Sequence, residues 1–239
     1  VKKELPNAHA GSYKAWAREI FEWFVLRMMR RDFAGVVLWG PRYAVPQDVP
    51  VLFVANHVSW WDGFFLWRLQ RMLYPERPIY SVMLAREFSR TFWFKWVGIL
   101  PIEQGRTASL RALLQRLAQL VRETSKDSFI CSFFPQGVIK PSFARPLSFA
   151  EGLRGVAQAM APVTIIPLGI HIEPLCDRRP HAFVTMGSPI NHEKGRLDVG
   201  SIECLVTSVL DALLKDLSLR GEQILDRDNQ GGQEYVSLV

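Results

Sequence analysis

Val51-Leu52-Phe53-Val54-Ala55-Asn56-His57-Val58-Ser59-Trp60-Trp61-Asp62 carries both the fold and the chemistry of this chain. The first five residues are apolar and read as a buried strand. A strand that delivers a histidine to its C-terminal end, then turns into a helix, is a common place to build a reactive site. Histidine takes and returns protons near neutral pH, so His57 suits a general base. A carboxylate on one ring nitrogen would leave the other free to act, the role open to Asp62. Five residues of helix turn through about 500°, so the pair works with His57 in the turn and Asp62 in the first helical turn. Ser59-x-x-Asp62 also reads as a capping box, which would stabilise the helix start and nothing more.

Working outward, apolar runs alternate with helical patterns. Val36–Trp39, Val51–Ala55, Ile79–Leu84, Gly98–Ile102, Ser128–Phe134, Val163–Ile172 and Ala182–Met186 read as strands. Tyr13–Phe33, Trp60–Met72, Arg86–Val97, Ser109–Glu123, Leu153–Met160 and Ile202–Leu219 read as helices. The alternation predicts a layered α/β domain, its sheet mostly parallel or mixed and flanked by helices. The predicted organisation is a loose segment and amphipathic helix over 1–34, the α/β domain over 35–225 and a frayed polar tail over 226–239. Pro167 inside a strand predicts an edge or a bend.

The first helix carries Trp16, Ile20, Trp23, Phe24 and Met28 at helical spacing, with Arg18, Arg27, Arg30 and Arg31 beside them. Such a stripe either packs on the core or lies in a membrane interface. Ten aromatics crowd Trp60–Trp67 and Phe88–Trp96, more than one helix face buries, and suggest a membrane-dipping surface or the wall of an apolar channel. No stretch approaches the ~20 apolar residues of a membrane span.

The net charge of +6 suits phosphate-bearing or membrane partners. Nucleic acid is disfavoured, since no basic block with interleaved aromatics occurs. Cys131, Cys176 and Cys204 are far apart and read as reduced thiols. The five histidines form no metal-ligand pattern, so no metal is expected.

Asn56-His57-Val58-Ser59-Trp60-Trp61-Asp62 resembles the first motif of the glycerolipid acyltransferases, the family that includes the lysophosphatidate acyltransferases. Gly98-Ile99-Leu100-Pro101-Ile102-Glu103-Gln104 resembles the second, with Gln104 at the position of an arginine and Arg106 two residues on. Phe134-Pro135-Gln136-Gly137 resembles the Phe-Pro-Glu-Gly motif, with Gln136 replacing the glutamate and Val138 and Ile139 following. Ile165-Ile166-Pro167-Leu168-Gly169 and Gly187-Ser188-Pro189-Ile190 resemble the closing segments. The resemblance runs from about Val36 to Ile190.

It implies an O-acyltransferase with His57 as base and Asp62 as its orienting partner. Asn56, Ser59, Arg106, Phe134, Pro135, Gln136, Gly137 and Lys140 are the expected substrate-binding residues. Backbone amides near Gly137 are expected to face the tetrahedral oxyanion. The expected donor is acyl-CoA or acyl carrier protein, with no further cofactor. The expected acceptor is a membrane lipid. Loss of the motif arginines points to a glycolipid or other lipid alcohol, with lysophosphatidate or a lysophospholipid open if Arg106 and Lys140 substitute. The expected location is the cytoplasmic face of a membrane, peripheral or monotopic. A noncatalytic lipid- or acyl-binding protein of the same fold is the alternative.

Overall fold

The computed structural model describes residues 14–90, 94, 96–124, 128–225 and 235–239. Helix α1 (Ala15–Asp32) leads into β1 (Gly35–Trp39) and β2 (Val51–Ala55). Next come α2 (Asp62–Leu73), β3 (Ile79–Leu84), α3 (Ala85–Arg90) and β4 (Ile99–Ile102). Helix α4 (Thr107–Glu123), β5 (Ile130–Phe133), α5 (Gly152–Met160), β6 (Val163–Glu173) and β7 (His181–Met186) follow. The chain closes with β8 (Ile190–His192), α6 (Val199–Arg220), a 3-10 turn and β9 (Tyr235–Ser237).

The strands form one mixed sheet in the order β4-β3-β5-β2-β6-β7-β1-β9, with β8 beside β6. The β4-β3-β5-β2-β6 half is parallel, while β6 meets β7 and β8 antiparallel. The two-residue alternation of strands sorts the core into two layers. Val51, Phe53 and Ala55 face α1 and α2 with Phe21, Met29 and Phe65. Leu52 and Val54 face the opposite layer with Leu117, Val156 and Val206 of α4, α5 and α6.

Three expectations change on the structure. Strand β6 is central, not an edge, even though it holds Pro167. On its β7/β8 side, β8 pairs with Val163–Ile165 and β7 begins at Leu168. Pro167 falls in the gap between them, where a missing N–H breaks no ladder. The end of the polar tail forms β9, which pairs antiparallel with β1 from Val37 to Trp39. Finally, most of the crowded aromatics described go inward. Phe64, Phe65, Trp67, Phe88 and Phe94 are buried; Phe21 of α1 packs on Phe64, Trp67 and Phe94, and Phe33, just past its end, on Phe65. Phe92 and Trp93 lie outside the described residues. Among the described residues, no helix is long and apolar enough to cross a membrane.

Candidate active site

The site forms where β2 and β5 end, at the C-terminal rim of the parallel half of the sheet. Beyond Ala55, which is paired with Leu168, the β2–β6 ladder is continued by a side chain. The Asn56 carboxamide accepts from Ile170 N–H at 2.7 Å and donates to Ile170 C=O at 2.9 Å. The His57 backbone is thereby released from the sheet and turns away. Asn56 is 1% exposed and both ends of its amide are used, so it shapes the turn and does not face a substrate.

The loop after β5 holds the His57 backbone on both sides. His57 N–H donates to Gln136 Oε1 at 2.6 Å, and Lys140 N–H donates to His57 C=O at 2.9 Å. The Phe134 ring stacks on the imidazole at 4.7 Å between centroids. His57 is therefore fixed by backbone and ring contacts, with about a quarter of its side chain exposed.

Asp62 stands at the first residue of α2 and is fully buried. Its Oδ2 lies 2.7 Å from His57 Nδ1 and accepts from Val58 N–H at 2.6 Å and Ser59 N–H at 3.0 Å. Its Oδ1 accepts from Ser59 Oγ–H at 2.6 Å. A carboxylate surrounded by donors is the acceptor in each bond. Nδ1 of His57 thus carries a hydrogen, and in the neutral ring Nε2 is the nitrogen with the lone pair. The helix-start reading and the catalytic reading describe the same carboxylate. Ser59 Oγ also accepts from Trp61 N–H at 3.1 Å, so Ser59 braces both Asp62 and the turn.

Other expected residues are placed differently. Gly137, at φ +65°, gives its N–H to Phe134 C=O at 3.1 Å, closing a tight turn. That amide is spent within the turn, so of the backbone amides near Gly137 expected to face an oxyanion, this one is already bonded. Pro135 is buried, and its C=O accepts from Ala150 N–H at 3.0 Å. Gln104 donates from Nε2 to Gly137 C=O at 3.2 Å. Arg106 pairs with Glu103, three residues back, and is 61% exposed. Lys140 Nζ lies 3.5 Å from Leu147 C=O. Neither cation is drawn to His57 by these contacts. A cleft of about 740 Å³ is lined by α1, including Trp23, Phe24, Arg27 and Arg31, and includes no residue of the His57 cluster.

The pattern along the sequence did not reveal what secures the loop at 138–149. Ser142 Oγ lies 2.6 Å from buried His171 Nδ1, and Glu173 sits 3.2 Å from Nε2. Burial lowers the His171 pKa, opposed by Glu173. On α6, Glu203 accepts from Ser148 and Phe149 N–H at 2.8 and 2.9 Å, and Asp211 pairs with Arg145. A proline- and serine-rich run signals a loop, but these anchors lie on other elements.

With this geometry in view, two comparisons with known proteins agree. A solved structure, the 1-acyl-sn-glycerophosphate (LPA) acyltransferase PlsC from Thermotoga maritima, superposes with a TM-score of 0.54 at 19% identity, covering 85% of this chain and 80% of that one. It shows the shared fold. No curated protein matches the chain. The family model described as Acyltransferase matches residues 41–171, which span β2 through β6 and every residue of the His57 cluster. That match covers more than half of the chain, and the chain belongs to the acyltransferase family.

Proposed function

We propose that this acyltransferase moves a fatty acyl group from an acyl thioester, acyl-CoA or acyl carrier protein, to the hydroxyl of a lipid at a membrane surface. The observation that carries the reading is the imidazole held through Nδ1 by a buried carboxylate, with Nε2 left free in a partly open site. The acceptor oxygen attacks the thioester carbonyl carbon as its proton passes to His57 Nε2. Collapse of the tetrahedral intermediate breaks the C–S bond, and the imidazolium returns the proton to the leaving thiolate. Asp62 stabilises the imidazolium between these steps.

An uncharged acceptor head is favoured. Gln104 stands where the resembled motif carries arginine and braces a neutral turn. Arg106 is engaged by Glu103, and Val138 and Ile139 make the rim beyond Gly137 apolar and exposed. Membrane contact is supported by α1, whose Trp16, Ile20, Trp23 and Phe24 are exposed beside Arg27, Arg30 and Arg31.

The test uses palmitoyl-CoA with monoacylglycerol, a lipid glycoside and lysophosphatidate in mixed micelles. The expected result is transfer to the neutral acceptors, with His57→Ala lowering kcat by at least about 1,000-fold at unchanged thermal unfolding. Full activity in His57→Ala removes the mechanism. Preference for lysophosphatidate removes the neutral acceptor.

A further inference from the structure

We infer that the side-chain amide of Gln136 is a neutral hydrogen-bond donor to an oxygen of the substrate bound at His57. Carboxamide orientation is often ambiguous, because O and N look alike. Here it is fixed by chemistry. Oε1 is the atom 2.6 Å from His57 N–H, and only an oxygen accepts from a backbone N–H. The NH2 group therefore occupies the other branch of a planar amide that is anchored on the histidine itself. Gln136 is 8% exposed, yet among the described residues Nε2 makes no hydrogen bond, and it is not sealed from solvent. A donor held still and unspent at the mouth of the site is the form that electrostatic stabilisation requires.

Four neighbouring backbone donors are already committed. Gly137 N–H bonds Phe134, Lys140 N–H bonds His57, and the amides of Val58 and Ser59 bond Asp62. A glutamate at this place would accept from His57 N–H equally well but would offer no hydrogen when ionised. The glutamine keeps the anchor and adds two N–H bonds on a side chain that is itself bonded to the His57 backbone. The ligand is an oxygen with lone pairs, either the thioester carbonyl as it gains charge or a hydroxyl or ester oxygen of the acceptor.

This inference rests on the acyl-thioester reading above. Its test compares Gln136→Glu and Gln136→Met with wild type and His57→Ala. The readouts are CoA release from palmitoyl-CoA without acceptor, acyl transfer to the best acceptor, and thermal unfolding. Glutamate preserves the acceptor for His57 N–H and methionine removes it. The expected result is a loss of about 100-fold in both variants, the scale of one removed oxyanion donor, with Gln136→Glu unfolding at the wild-type temperature. Equal loss in CoA release and in transfer assigns the oxygen to the acyl donor. A raised acceptor KM with unchanged CoA release assigns it to the acceptor. Wild-type kinetics in Gln136→Glu, with loss only in Gln136→Met, would reduce Gln136 to a positioning residue and overturn the inference. Wild-type enzyme that neither cleaves the thioester nor differs from His57→Ala would instead overturn the underlying reading.

Discussion

Asn56 and Asp62 divide the work of presenting one imidazole. Asn56 ends the sheet without breaking its hydrogen-bond ladder, and Asp62 fixes the tautomer of the ring that emerges. Asp62→Asn separates shape from charge. Asparagine can turn its NH2 toward Ser59 Oγ and its oxygen toward Nδ1, so the turn survives. A neutral oxygen stabilises the imidazolium far less. The expected loss in kcat is about 10²–10⁴-fold, with KM for the acceptor unchanged, measured by steady-state acyl transfer. The His57–Asp62 pair was legible because its members are five residues apart and their chemistry is local. The partners of Asn56 and Gln136 were not. Asn56 meets a residue 114 positions away, and Gln136 meets His57 across 79. No local pattern encodes such distances.

At the scale of the element, α1 shows how periodicity finds a helix and leaves its faces unranked. Trp16, Ile20, Trp23 and Phe24 repeat at helical spacing and are exposed. Ala17, Phe21, Val25 and Met29 repeat at the same spacing and are the buried face. Two apolar stripes on one cylinder cannot be ranked without knowing which meets the sheet. The helix is also secured by charge. Glu22 accepts from Arg68 and Arg71 of α2 at 2.7 and 2.6 Å, all three under a fifth exposed. Burial lowers the Arg68 pKa while Glu22 raises it. Removing the carboxylate leaves Arg68 with only the Leu238 carbonyl and Arg71 with only Glu19, 3.5 Å away, in a poorly hydrated seam. Glu22→Ala is expected to cost about 2 kcal/mol, read as a lower urea midpoint at unchanged slope. Most strands were legible as apolar runs bounded by Gly, Pro and polar residues. Three-residue β8 and β9 were not, since such short pieces owe their conformation to a neighbour's unpaired edge.

Across the molecule, α1 presents Trp16, Trp23 and Phe24 outward while Trp60, 52% exposed, sits three residues from His57. Trp60 contacts Phe64, which in turn contacts Phe21 of α1, linking the helix to the mouth of the site. A membrane taking up α1 would bring its lipids near the base. Trp23→Glu combined with Phe24→Glu is expected to reduce binding to anionic phosphatidylglycerol vesicles by at least about tenfold, at unchanged thermal unfolding. Cosedimentation checks this, and wild-type binding by the double variant would remove the contact.

Gly169 extends the reach of the site to the opposite layer. A methyl group there would sit 2.9 Å from Thr185 Cγ2 and 3.1 Å from the backbone of Leu210, so β6 and α6 touch almost bare. Helix α6 also carries Glu203 and Asp211, which hold the loop that grips the His57 backbone. The helix is thus a lever with its fulcrum at one missing side chain. A bulkier residue at that fulcrum would strain the grip on the His57 backbone without touching a single reacting atom.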